Sequence, residues 1–408
     1  MKFKSIPISL ALVLFPLLSL AVRGSANILF YVLLLSGVGF LFTQKNQLTE
    51  QFKKFLPLNI AMAGLFFAVL VHEVFSGNFD ARSFDAPLRL AWFPILLFAL
   101  TRLTTSQLKV VQWGWIVGAL MAALHMFMIT RGGTTRETQS FFIPLNAFAE
   151  MGLLLGLFSA CTLAWTNGKK VVVGLIILAT TSVLYTTYLS QARGAWLLLP
   201  VLAALAFFAT RKLPIKTKIG LAAALLLACC LVFYFGDLAK KRVKESLNEV
   251  SLYLDQVDKD THLGVRFQLW EGSWQLFTEH PLIGIGKGQK DFPAAMNSLR
   301  ERHIISPLAA RYTHSHNEIL YHAVTLGIIG ILALLALYFV PIIYFFREIH
   351  HPDKVIASTA GMGFMLSAGF FVFGLVDVML IWGVCNTFYV VCLATLMAII
   401  IKRKEELK

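Results

Sequence analysis

Apolar runs of roughly 17 to 25 residues recur along the whole chain. An α-helix of that length crosses about 30 Å of hydrocarbon and satisfies its own backbone hydrogen bonds. The composition agrees with this pattern, because 57% of the residues are hydrophobic and only 14% are charged. The chain is therefore predicted to be an all-α integral membrane protein rather than a soluble domain.

The apolar runs predict about twelve transmembrane helices, at residues 6–22, 27–43, 55–75, 88–101, 108–130, 141–166, 171–190, 194–210, 217–235, 317–346, 354–376 and 379–401. One long hydrophilic stretch interrupts them. The expected organisation is a single membrane domain with nine helices in 1–235, a large loop at 236–316, and three helices with a tail in 317–408. The N-terminus resembles a secretory signal with cleavage after Ala26, but another apolar run follows at once, so we expect the first helix to be retained.

Basic residues in the short loops indicate the orientation of these helices. They are concentrated on the side that carries both termini, at positions such as Lys53, Lys54, Lys169 and Lys170. The positive-inside rule therefore predicts cytoplasmic termini and an outward-facing loop 236–316. Membrane insertion and contact with anionic lipid explain much of the formal charge of +14, so nucleic acid is not an expected partner.

One segment of the outer loop, residues 264–281, has the spacing of an amphipathic helix. The residues that share one side of it are Arg266, Trp270, Ser273, Trp274 and Phe277. Tryptophan suits the headgroup region, and an arginine there can donate a planar fork of hydrogen bonds to phosphate oxygens. An interfacial helix with a phosphate-binding arginine is predicted.

The next segment, GIGKGQ at 284–289, invites comparison with a phosphate-binding loop. That motif needs four residues between its first glycine and a Gly-Lys-Ser/Thr sequence, whereas Lys287 is followed by Gly288 and Gln289. We therefore interpret the segment as a turn.

Three more ionisable residues lie at the outer ends of predicted helices. Arg193, in LSQARGAWLLLP, has apolar residues on both sides. A guanidinium near hydrocarbon is costly unless an anion meets it, so Arg193 is a candidate anion-binding residue. Arg89, in DAPLRLAW, has a similar position and is either functional or a snorkelling cation. Asp377, in FGLVDVML, either orients one of these cations or caps a hairpin.

The stretch RYTHSHNEILYHAVTLGIIG at 311–330 brings His314, His316 and Asn317 directly before a long apolar run. A neutral imidazole can accept a hydroxyl proton while an activated phosphate ester leaves, and Arg193 with Arg266 could stabilise the leaving charge. Residues two apart point in different directions on a helix, so one histidine is expected to be a spectator. No cluster has convincing metal-ligand spacing, so no metal or other cofactor is predicted.

This stretch resembles the signature of the O-antigen ligase family: His, then Asn, Ser or Gln, nine residues, Gly, two residues, and Gly, Thr or Tyr. The matching residues are His316, Asn317, the nine residues EILYHAVTL, Gly327, Ile328, Ile329 and Gly330. The position after a large external loop and the number of helices also resemble this family. It shares a domain with O-antigen polymerases and protein O-oligosaccharyltransferases.

The resemblance implies a GT-C-like fold with short helices in a periplasmic loop. It also implies a glycosyltransferase of Gram-negative lipopolysaccharide biosynthesis, which needs neither metal nor nucleotide. Such an enzyme transfers O-antigen from undecaprenyl diphosphate to the lipid A-core at the periplasmic face of the inner membrane, among membrane lipids, with inversion.

The resemblance also implies roles for particular residues. His316 matches the family histidine that serves as the base. Arg193 and Arg266 match the family arginines thought to hold the diphosphate. The secondary candidates are Arg89, which pairs with Asp85 in a way that resembles a family feature, and Asp377, His314 and Asn317.

Two kinds of alternative remain open. An O-antigen polymerase or a protein O-oligosaccharyltransferase would use the same donor with another acceptor. A transporter or flippase for polyprenyl-linked sugars would also need outer arginines and many helices, but it would not need a histidine at the end of the loop. Transporters often have paired halves with broken helices, and the sequence shows no such pairing.

Overall fold

A computed structural model describes residues 2–77, 79–135, 140, 142–166, 168–192 and 237–408. The described part of the chain is helical. Its α-helices are α1 (Lys2–Leu18), α2 (Ser25–Lys54), α3 (Leu56–Ser76), α4 (Asp85–Ala91), α5 (Phe93–Leu100), α6 (Thr105–Lys109), α7 (Val111–Ile129), α8 (Leu145–Cys161), α9 (Lys170–Ser190), α10 (Asp237–Leu254), α11 (His262–Glu279), α12 (Asp291–Glu301), α13 (Glu318–Phe346), α14 (Lys354–Gly374) and α15 (Gly383–Glu406).

Among the described residues, nine segments are long and apolar enough to cross a membrane, and Pro7–Leu18 is a shorter apolar helix. These ten segments correspond to ten of the predicted transmembrane helices. The other two predictions, 194–210 and 217–235, lie outside the described residues, as does Arg193. The chain is an all-α integral membrane protein.

The helices pack into one apolar core. Helix α13 packs against α3 and α14, and α15 packs against α14, α5 and α4. Helix α7 contacts α1, α8 and α9. The fourth predicted transmembrane helix is formed by two short helices, α4 and α5, which meet at Trp92.

The outer loop has an apolar core of its own. Val265 and Leu269 of α11 pack with Phe292 and Met296 of α12, and Val378 belongs to the same buried cluster. Tyr321 and Val324 add residues from the first turns of α13. This cluster fixes the loop against the start of α13 and against the turn at 375–382 that joins α14 to α15.

Helix α13 is interrupted at Gly327. This residue has φ 63° and ψ −154°, a backbone conformation that is essentially restricted to glycine. A Cβ added here would lie 2.3 Å from the Leu282 carbonyl oxygen. The first glycine of the sequence signature therefore marks a break in a membrane helix and a close approach of another segment.

Residues 281–286, named here the strap, supply the hydrogen bonds that the break removes. The N–H groups of Ile285 and Gly286 donate to the carbonyls of Val324 and Thr325, at 2.9 and 3.0 Å. The Ile328 N–H donates to the Pro281 carbonyl at 2.8 Å. Broken helices are tolerated at membrane depth only where such partners satisfy the backbone. The GIGKGQ segment thus includes half of this strap and is more than a turn.

Candidate active site

The start of α13 places His316 at a sharp bend. Asn317 is the N-cap, and its side-chain oxygen accepts a hydrogen bond from the Leu320 N–H at 3.0 Å. His316 has φ 49°, in the left-handed region, so the chain turns just before the helix. The buried Ser315 hydroxyl stabilises the bend by donating to the Asn317 carbonyl at 2.7 Å.

This bend brings His316 to Asp377 in the turn at 375–382. His316 Nδ1 lies 3.2 Å from Asp377 Oδ1. The Val378 N–H donates to the same oxygen at 2.8 Å, and the Asn146 amide donates to Asp377 Oδ2 at 3.3 Å. Asp377 is only 6% exposed, so its carboxylate is held by three donors in a nearly dry site.

The charge of Asp377 determines which ring nitrogen of His316 carries the proton. Burial alone would raise the pKa of Asp377, but the hydrogen bond from His316 and the charges of His316, His314 and Arg266 outweigh it, and the pKa falls below its ordinary value. An ionised carboxylate can only accept hydrogen bonds, so His316 Nδ1 must carry the proton in their contact. The neutral ring then has its lone pair on Nε2, where it can act as a base.

His314 lies directly beside His316. The two ring centroids are 4.3 Å apart at an interplanar angle of 72°, and the His316 backbone N–H donates to His314 Nδ1 at 3.3 Å. The expectation that the two side chains point in different directions is wrong, because they lie in a turn and not on a helix. Burial, with the neighbouring His316 charge, lowers the pKa of His314 to about 4, so this ring is neutral near pH 7.

Arg266 is the cation of this site in the described part of the chain. It lies in the second turn of α11, is half-buried, and its charge lowers the pKa of both Asp377 and His314. It makes no hydrogen bond or ion pair with the residues that the structure describes. A guanidinium that is near the dyad but unpaired is available to an anionic ligand.

The predicted stripe on α11 lies at the edge of the helix's buried face. Ser273 is fully buried and Trp274 is 60% exposed, whereas Arg266, Trp270 and Phe277 are half-buried. Trp274 and Phe277 are in ring contact, with centroids 5.7 Å apart. Ser273 is covered because the loop core packs against that side, which sequence spacing alone did not reveal.

Arg89 belongs to a different cluster. It is 8% exposed, and its Nη2 donates to both carboxylate oxygens of Asp85, at 3.1 and 3.0 Å. It also donates to Asn27 and to the Thr387 hydroxyl. Arg89 thus joins α2, α4 and α15, and the alternative that Asp377 orients this arginine is wrong, since Asp377 contacts His316 and Asn146.

The residues that could hold a metal ion in the described part of the chain are His314, His316 and Asp377. One possible ligand atom from each lies within 4.8 Å of the others. In the structure, His316 and Asp377 instead satisfy each other, and His314 Nδ1 accepts a backbone N–H. The same atoms can therefore act as a metal site or as a hydrogen-bonded base, and chelation distinguishes the two.

Two residues of the site were not predicted from sequence. Asn146, in the first turn of α8, and Glu318, which holds the turn at 375–382, are both far in sequence from the residues that they contact. Glu318 directly follows the His-Asn pair, which is a signal that could have identified it. Asn146 lies in an ordinary apolar run without any such signal.

The chain is similar in sequence to known proteins. Residues 175–335 match a family model described as O-antigen ligase, and this segment contains Arg193, Arg266 and His316. A curated O-antigen ligase of Escherichia coli strain K12 is 28% identical over 190 residues, which is 46% of this chain and 44% of that protein. An uncharacterized protein of Haemophilus influenzae strain Rd is 30% identical over 173 residues, 40% of this chain and 41% of that protein.

The aligned segments thus span less than half of each curated relative. The family match at 175–335 covers the outer loop and the first part of the broken helix that carry the site, and the signature from His316 to Gly330 lies within it. Residues 175–335 of this multi-pass membrane protein are therefore similar to the O-antigen ligase family.

Proposed function

We propose that the protein is an O-antigen ligase that transfers a glycan from undecaprenyl diphosphate to the lipid A-core oligosaccharide. The match of residues 175–335 to the O-antigen ligase model supports a function of the ligase or polymerase type. The proposed location is the bacterial inner membrane, with cytoplasmic termini and the site at the periplasmic face. No nucleotide or metal is proposed to take part.

The proposed reaction is one displacement at the anomeric carbon. The acceptor hydroxyl gives its proton to His316 Nε2, and its oxygen forms a bond to the anomeric carbon. The bond between that carbon and the phosphate oxygen breaks, and the electron pair leaves with undecaprenyl diphosphate. Arg266 and, as the resemblance suggests, Arg193 stabilise the leaving charge. A single attack from the opposite face inverts the anomeric configuration.

The observation that carries this proposal is the contact between His316 Nδ1 and the buried Asp377 carboxylate. It fixes the tautomer that a general base needs, and it stabilises the imidazolium that forms when the proton arrives. A carboxylate that orients a histidine is a recurrent feature of proton-transfer sites. Arg266, unpaired among the described residues, supplies the complementary cation for the diphosphate.

The test is product analysis with purified protein in nanodiscs. The donor is undecaprenyl-diphosphate glycan, the acceptor is lipid A-core, nucleotide is absent and a chelator is present. Wild type is compared with His316→Ala and with the matched control His350→Ala, which removes an exposed histidine beyond the opposite end of α13. We expect capped lipid A-core from wild type and from His350→Ala, and none from His316→Ala.

Other products would overturn the proposal in identifiable ways. Lengthening of the donor glycan would identify a polymerase, and transfer to serine or threonine of an added protein would identify a protein O-oligosaccharyltransferase. Movement of the lipid-linked glycan across the bilayer without formation of a new bond would identify a transporter.

A further inference from the structure

The turn that carries Asp377 is held by the residues that follow His316. The Asn317 amide donates to the Leu375 carbonyl at 3.1 Å. Glu318 Oε2 accepts the N–H of Met379 at 2.6 Å and the N–H of Leu380 at 3.1 Å. The side chains of Asn317 and Glu318 thus bind the turn on both sides of Asp377, at Leu375 and at Met379 and Leu380.

Glu318 is enclosed on all sides. The residue is 0% exposed, and a Cβ on Gly374 would lie 2.9 Å from Glu318 Cβ, so α14 lies directly against it. A buried carboxylate is costly unless its hydrogen bonds and charge are compensated. The two N–H groups of the turn compensate one oxygen. The other oxygen, Oε1, has no hydrogen-bond partner among the described residues.

A lysine just after the strap supplies a compensating charge. The Lys287 ammonium is buried without a hydrogen-bond partner among the described residues, and its charge interacts with that of Glu318. Burial lowers the pKa of Lys287, and the Glu318 carboxylate opposes this effect. His322 Nδ1 lies 3.4 Å from Glu318 Oε1 and 3.0 Å from the Glu318 carbonyl. Glu318 therefore joins the start of the broken helix to the Asp377 turn.

We propose that Glu318 is a positioning residue of the transfer site, which sets the contact between His316 and Asp377 by holding the 379–380 backbone. This inference rests on the proposed function only in that glycan transfer is the readout. Because Glu318 is fully buried, it acts on the reacting groups through Asp377 and does not touch substrate.

The position of Glu318 predicts which kinetic constant changes. The donor contacts the arginines and the base, so the loss of Glu318 leaves ground-state binding unchanged and misplaces the dyad. A displacement of about 1 Å near reacting groups can lower a rate by up to about 100-fold. We expect Glu318→Ala to lower kcat by about tenfold or more, with a donor KM within about twofold of wild type. Glu318→Gln keeps an acceptor oxygen for the turn and is expected to restore part of the rate.

A double-mutant cycle with Asp377→Ala tests whether Glu318 affects kcat through Asp377. If Glu318 acts through Asp377, Glu318→Ala lowers kcat in wild type but has no further effect in the Asp377→Ala background. The matched control is Tyr389→Phe, which removes buried hydrogen bonds to Leu337 and Ser367 in the same group of helices, away from the turn. Its effect on kcat should be small in both backgrounds.

Three results would overturn the inference. These are unchanged kcat in Glu318→Ala, an equal loss of kcat in both backgrounds, or a loss in Tyr389→Phe as large as that in Glu318→Ala. If Glu318→Ala does not fold, Glu318→Gln enters the same cycle, and the same dependence on Asp377 is required of it. Failure of the proposed function is recognised separately, because wild type would then form no capped lipid A-core, or His316→Ala would form it as fast as wild type.

Discussion

The substitution Gly327→Ala tests the break in α13. In wild type, Gly327 combines a positive φ with a close approach of the strap. The added Cβ would lie 2.3 Å from the Leu282 carbonyl oxygen and 2.4 Å from its carbonyl carbon. Both neighbours are backbone atoms, so no side-chain rotation relieves the contact. The strap would have to move, which would lengthen the 2.8 Å hydrogen bond from Ile328 to Pro281.

The magnitude is a sum of two terms. A non-glycine residue in this backbone region is strained by about 1–3 kcal/mol. Overpacking of a filled contact adds about 1–3 kcal/mol. The free energy of unfolding of Gly327→Ala should therefore fall by about 2–6 kcal/mol relative to wild type. Glycan transfer should also fall, because the strap is followed directly by Lys287, the buried countercharge of Glu318.

The matched control is Gly361→Ala in α14. This glycine is helical, and a Cβ there would meet no neighbouring atom within 4 Å. Alanine has the higher helix propensity, so the control should be as stable as wild type or more stable by up to about 1 kcal/mol. Stability is measured by SDS titration in mixed micelles. Equal unfolding free energies for Gly327→Ala and wild type would refute the described break in α13.

Four further predictions concern the site and its surroundings. Arg266→Gln should raise the donor KM by about tenfold while the unfolding midpoint changes little, because no described residue pairs with Arg266; an unchanged KM in donor titrations would contradict its diphosphate role. Arg89→Ala should lower the unfolding free energy by about 1–3 kcal/mol, because its partners on α2, α4 and α15 lose a buried donor. An unchanged unfolding free energy in SDS titration would contradict this structural role. Because His314 has a pKa of about 4 in the fold against an ordinary value of 6.5, the unfolded chain binds this proton first as pH falls. The contribution of His314 to stability is then complete above pH 6.5 and is lost as pH falls toward 4, so melting temperatures of His314→Asn should depend less on acid than those of wild type. Chelation should leave transfer unchanged, because His316 and Asp377 satisfy each other; restoration of a lost rate by one added divalent metal would instead identify a metal site.

The fold was predictable where the physics is local. Membrane helices can be predicted from the length and composition of apolar runs, because few other structures satisfy their backbone hydrogen bonds within lipid. His316 and Arg266 could be selected as candidates because ionisable residues near hydrocarbon are energetically costly and are therefore often functional. The resemblance at His316 and Asn317 then ranked one histidine above its neighbour.

The remaining features depend on contacts between distant parts of the chain. Asp377 lies 61 residues from His316, and Asn146 lies 231 residues from Asp377. No periodicity encodes such pairings. Arg89 and Arg266 carry the same charge in similar sequence surroundings, yet one is enclosed by protein partners and the other is unpaired among the described residues. The break at Gly327 was also hidden, because its flanking residues read as one continuous apolar run.

The most direct test of the account is the single-turnover rate of glycan transfer to lipid A-core by His316→Ala and Asp377→Asn, measured at saturating donor beside wild type. If His316 is the base and Asp377 fixes its tautomer, His316→Ala should be slower by about 100- to 10,000-fold, and Asp377→Asn should lose much of the same factor. Rates for both variants within about twofold of wild type would show that the reaction does not need this base, and the central claim would be wrong.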